Sequence, residues 1–258
     1  MESGNKTIFI GGAVFVLLMG AGAWFFIAKA PAPEAVPAVP APAAAPVTAA
    51  PLAPSEPLPA LDESDDWVRG KAGGLTADAR FKDWLKTSNL LPRWAASVNI
   101  VAAGKVPTDA LSFLRPRKKF VPQSKDARLF VDSKSYGRYD AVADVFSSID
   151  APAAATFFKT TRPLIDQAWN SLGEGKGDVL DGVARAAHEL LAAPTLPDRA
   201  ELHPSEKGIV YVYADDALEK RSPAQKQLMR MGPRNQLKIQ AKVRELALAL
   251  GVTAEKLQ

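Results

Sequence analysis

Apolar residues recur at three- and four-residue spacing through most of the chain after residue 60, the mark of helices buried on one side. Asp62–Lys71 reads as a short helix with Ser64 as its cap and Gly73-Gly74 as its stop. Phe81, Trp84 and Leu85 share a face of Ala77–Lys86, with Thr76 as cap. Trp94, Val98 and Val101 do the same in Leu90–Ala103, where Pro92 falls in the first turn and costs no hydrogen bond. Tyr139, Val142, Ala143 and Phe146 mark Ser135–Ser147. Phe157, Leu164, Ile165, Ala168 and Leu172 mark Ala151–Leu172, capped by Asp150, closed by Gly173 and expected to bend or split at Pro163.

The pattern continues in Asp178–Ala192 and in two C-terminal helices. Ser222-Pro223-Ala224-Gln225 has the form of a capping box. Its helix runs to Met231 and stops at Gly232. Pro233 starts another that continues to Leu250, with Ile239, Val243, Leu246 and Leu250 inward and Arg234, Lys238, Lys242 and Arg244 as polar surface. Three short segments break the helical period. Lys118–Pro122 and Arg128–Asp132, separated by the polar Gln123–Ala127, predict a hairpin. Ile209–Tyr213, with its β-branched and aromatic residues, predicts a strand. The expected fold is mainly α, a helical domain over 61–258 with a small β-hairpin or three-stranded sheet as an appendage.

The first sixty residues follow a different rule. Ile8–Ala28 is an uncharged apolar run of about 30 Å if helical, the thickness of a bilayer core. It predicts one N-terminal transmembrane helix within 1–29. From residue 30 to 60, prolines recur every few residues among alanines, which predicts a disordered, proline-rich linker of polyproline character. A cleaved leader is the rival reading of the apolar run, opposed by its length and by a thin positive start. Lys6 before the run sets the N-terminus in the cytoplasm and the C-terminal domain outside it. The partners expected are the lipid bilayer through Ile8–Ala28, and an envelope protein or anionic envelope polymer.

Charge and chemistry add little that is specific. The chain has 32 basic and 28 acidic residues; removing the two and three that precede Leu61 leaves 30 and 25. The surplus concentrates in Arg115, Arg117, Lys118 and Lys119, and again from Lys220 onward, where solvated helix faces are the plain explanation. No nucleic acid is expected, since no recognised binding module accompanies these runs. There is no cysteine, and His188 and His203 have no metal-ligand spacing. No serine sits in a G-x-S-x-G elbow, and Gly173–Asp178 lacks a phosphate-loop pattern. No catalytic residue, metal or cofactor is assigned.

Tyr211-Val212-Tyr213-Ala214-Asp215, Leu218-Glu219 and Ala224 through Asn235 resemble the signature of the proteobacterial domain of unknown function 3014 family. Phe120-Val121, Ser135 through Asp140, and Arg162-Pro163-Leu164 match its upstream hallmarks. Asp216 stands where the family pattern has proline. The resemblance implies an envelope protein anchored in the bacterial inner membrane with its C-terminal domain in the periplasm, and names no reaction. Around the Gly232-Pro233 corner two readings stand open. Long polar side chains brace a structural junction, or Tyr213, Gln225, Arg230 and Asn235 line a binding groove. A membrane-tethered interaction or scaffold module of the bacterial cell envelope is the function expected, with an envelope hydrolase or cell-wall-modifying enzyme as the alternative.

Overall fold

The computed structural model describes residues 57–173, 177–197, 199–206, 208 and 210–258. Among the described residues nine α-helices and four strands follow in the order α1 Asp65–Ala72, α2 Ala79–Trp84, α3 Leu90–Ala102, β1 Pro122–Lys125, β2 Arg128–Val131, α4 Asp140–Ser147, α5 Ala151–Asn170, α6 Val179–Leu191, β3 Glu201–Pro204, β4 Tyr211–Tyr213, α7 Asp216–Glu219, α8 Pro223–Met229 and α9 Pro233–Ala249. α3, α5, α6 and α9 pack on one another around Trp94, Phe158, Leu164, Trp169, Val183, Ile239 and Val243, and α4 closes the side beside α9. Apolar burial of this extent dominates the stability of a helical domain.

The helix starts are set by short polar side chains, though not always the expected ones. Asp150 accepts from Ala153 N–H at 2.7 Å and Ser222 from Gln225 N–H at 3.1 Å, which opens α5 and α8. α2 begins later than expected because Asp78, not Thr76, is the cap, accepting from Arg80 N–H. Ser64 turns away from the first turn of α1 and donates to the carbonyl of Leu61. Asp65 caps a helix other than its own. Its carboxylate accepts from Asn89 N–H at 2.6 Å and Leu90 N–H at 2.8 Å, supplying α3 with the acceptor that Asn89, at φ 56°, does not provide. α5 runs unsplit through Pro163. Its stripe of Phe157, Phe158, Thr161, Leu164, Ile165 and Ala168 is buried on both sides of the proline, and tertiary packing outweighs one missing backbone bond.

The sheet corrects the fold expectation. It has four antiparallel strands in the order β1-β2-β3-β4 rather than two or three. Leu129, Leu202 and Tyr213 lie in register on its inner face, over a small second core with Val131, Leu196, Ala200 and Met229. β1 keeps only Pro122 of the expected first strand and takes Gln123, Ser124 and Lys125 from the segment expected to be the connecting loop. The turn is only Asp126-Ala127, both with positive φ, the two-residue form that matches strand twist. β1 has no buried residue, so no apolar alternation marks it. β3 buries only Leu202 and ends in proline, which leaves it equally silent. Ile209 lies outside the described residues, and the last strand starts at Tyr211.

The membrane architecture is also corrected. Among the described residues no helix is long and apolar enough to cross a membrane. The longest, α5, is two-faced, with Lys159, Thr160 and Pro163 exposed on the side away from its buried stripe. The run Ile8–Ala28 and the proline-rich stretch up to residue 56 lie outside the described residues. No described helix therefore supports the single-pass transmembrane fold, the lipid bilayer partner, or the inner-membrane and periplasmic location. The membrane-tethered module of the bacterial envelope, its hydrolase alternative, and the envelope protein or polymer partner lose their footing with it.

Candidate functional site

Two segments nearly a hundred residues apart meet where α8 ends and α9 begins. The first is the 3-10 turn Ser133–Tyr139 that leads into α4. The second is the Met231-Gly232-Pro233 corner. Gly232 has φ 84° and ψ 158°, a backbone region open essentially to glycine alone. Pro233 then presets the first turn of α9. The ring of Tyr136 lies flat against the corner, so the absence of a side chain at Gly232 is required by space as well as by backbone geometry.

Asn235 ties the two segments together. It is 1% exposed, and its amide donates to the carbonyls of Met231 at 3.0 Å and Tyr136 at 3.2 Å and to Asp140 Oδ1 at 2.9 Å. Its own Oδ1 is buried with no hydrogen-bond partner among the described residues. Asp140 also takes an ion pair from Arg234 at 2.7 Å. The Arg234 guanidinium first, and the Asn235 amide second, hold the Asp140 carboxyl below the usual carboxylate range.

The polar face of α9 turns out to be partly an interface. Arg234 meets Asp140, and one turn later Lys238 meets Asp144 at 2.6 Å; Lys242 then donates to the Ile149 carbonyl at 2.8 Å. On the other flank, Gln236 donates to the carbonyls of Ala193 and Pro194, and Gln240 to those of Leu190 and Ala193. These bonds satisfy the end of α6, where carbonyls lack helical partners. They fix the segment that carries Pro197, the opposite wall of the site.

The result is a cleft of about 440 Å³. Tyr136, Gly137, Met231, Gly232, Pro233 and Pro197 give it carbon and backbone walls; Lys134, Arg234, Asp140 and Asn235 supply the charge and polarity. Lys134 is exposed and has no ion pair among the described residues. The cap position of α9, Gly232, makes no side-chain cap bond, and no acidic residue stands in the first turn.

Of the residues singled out from sequence, Gly232, Pro233 and Asn235 line this cleft. Tyr213, Gln225 and Arg230 do not stand among the lining residues. Tyr213 is buried with its hydroxyl unpartnered among the described residues, and burial pushes its pKa up, opposed in part by Arg230. Gln225 does not complete a capping box. Its amide donates to the Glu189 carbonyl at 3.2 Å, bracing α8 on α6. Lys134, Tyr136, Asp140 and Arg234 were not singled out. The signal for three of them lay in plain view, since Tyr136 and Asp140 belong to the Ser135–Asp140 hallmark and Arg234 to the C-terminal one.

Among the described residues no group of three or more His, Cys, Asp or Glu is placed to hold a metal ion. No curated protein and no solved structure matches the chain. A family model described as a protein of unknown function, DUF3014, matches residues 90–247, a span that takes in both segments of the cleft. The chain belongs to the DUF3014 family.

Proposed function

We propose that the domain is a binding module that holds an anionic group, a carboxylate or phosphate of a small ligand, in the cleft at the Gly232-Pro233 corner. The observation that carries this reading is the start of α9. Gly232, Pro233, Arg234 and Asn235 line the cleft at a helix end without a side-chain cap, and Lys134 and Arg234 stand beside it. First-turn N–H groups have no intrahelical partner and sit at the positive end of the helix dipole. An anion supplies what both lack. Tyr213, Gln225 and Arg230 act in this reading as supports behind the cleft.

Binding is favoured over catalysis by the state of Asp140. It is the one carboxylate among the lining residues, and Arg234 and Asn235 keep it ionised. A group so held has no proton to give near neutral pH and little basicity to take one. Titrating succinate or inorganic phosphate into the full chain during thermal unfolding tests the proposal. The Tm of the wild type rises with either anion, and that of the Lys134→Ala/Arg234→Ala double variant stays flat. Equal rises in both chains refute it.

A further inference from the structure

A second surface lies on the loop before β1, whose residues are not among those lining the cleft. Arg115, Arg117, Lys118 and Lys119 are all exposed and have no ion pair among the described residues. Elsewhere cations commonly do, as with Arg128 on Glu201, Lys226 on Glu219 and Lys256 on Asp181. Four positive charges in five residues repel one another, and opposite charge from outside the fold relieves that repulsion.

The loop is held in place. Ser135 Oγ donates to the Val121 carbonyl at 3.0 Å and accepts its N–H at 3.3 Å. The Arg138 guanidinium lies 5.3 Å from the centroid of Phe120, whose ring meets Tyr211 edge to face at 5.8 Å. The chain neighbours of these rings are left in solvent, with Val121 60% and Val210 43% exposed, and Tyr211 itself 36% exposed. Charge and apolar surface are therefore adjacent.

We infer that this surface docks an acidic polypeptide segment that also carries an aliphatic or aromatic side chain. Charge complementarity selects an acidic partner. The apolar half selects a polypeptide over a nucleic acid. Val121 and Val210 offer aliphatic contact that a phosphate backbone cannot use, and Phe120, which bases would need for stacking, is already covered by Arg138 and Tyr211.

The test uses the full chain and a short fluorescent peptide of alternating Glu and Leu, followed by anisotropy at low and physiological salt. Binding that weakens with salt is expected. Arg115→Glu/Lys118→Glu/Lys119→Glu weakens it about tenfold or more, and Val121→Ser weakens it about threefold, with unchanged circular dichroism. Three results overturn the inference: undiminished binding by the charge-reversed chain, equal binding of a Glu/Ser peptide, or tighter binding of single-stranded oligouridine of the same charge. Succinate competes for none of this binding, so failure here leaves the cleft reading intact and the converse also holds.

Discussion

The ring of Tyr136 occupies the space a side chain at Gly232 would need. A Cβ there would lie 2.6 Å from Cδ2 and 2.7 Å from Cδ1 of that ring. Backbone geometry and ring contact thus forbid the same substitution for separate reasons, and the two can be measured apart. Gly232→Ala is expected to destabilise the fold by about 3 kcal/mol or more. Adding Tyr136→Ala recovers only the steric part, leaving about 1–3 kcal/mol of backbone strain. Chemical denaturation of both single variants and the double variant checks this; full additivity would mean that ring and corner are uncoupled.

Asn235→Ala removes a donor from the carbonyls of Met231 and Tyr136 and from Asp140. A loss of about 1–3 kcal/mol is expected in the same assay. A variant as stable as the wild type would show that Asn235 does not hold the two segments together.

Asp140 gives that junction a pH dependence with a fixed sign. Its native pKa is depressed, first by Arg234 and then by Asn235. The stabilisation is therefore present above the unfolded value of about 4 and is lost as pH falls through the lower native one. Asp140→Asn should lower Tm near neutral pH, and its gap from the wild type should narrow as the medium is acidified below about pH 4. A gap independent of pH would assign the effect to packing.

Ala127 sits at φ 59°, a left-handed conformation that costs an L-residue about 1–2 kcal/mol. Ala127→Gly relieves that strain and adds unfolded-chain freedom worth about 0.5–1 kcal/mol in the other direction. A net gain of up to about 1 kcal/mol is expected on thermal unfolding. Any loss would mean that the turn is not under strain.

Asp65→Ala removes the acceptor of the first amides of α3 and is expected to lower stability by about 1–2 kcal/mol. Ser64→Ala, which removes only a bond to the Leu61 carbonyl, should cost less. The reverse order would restore Ser64 to the capping role.

The helices were legible because each hides one stripe in a common core. Ile239, Val243 and Leu246 are buried as their spacing demands. The sheet was harder to read because β1 and β3 together bury one side chain, too few to show an alternating period. At the site, glycine followed by proline at 232–233 marked the corner. Its second wall was hidden by distance along the chain. Asp140 and Asp144 repeat every four residues, as do Arg234 and Lys238, but the pairing of two helices is a tertiary fact. Asp65 was hidden as a cap for the same reason, since its carboxylate serves α3 and not the helix it stands in.

The central claim is that the opening turn of α9 receives an anion, and the amide resonances of Arg234 and Asn235 report on it most directly. Inorganic phosphate titrated into isotope-labelled full chain should shift both amides along one saturable curve. The Lys134→Ala variant should weaken that curve without altering the spectrum of the helical core. Amides that stay still, or that drift without saturation equally in both chains, would contradict an anion site at Gly232-Pro233.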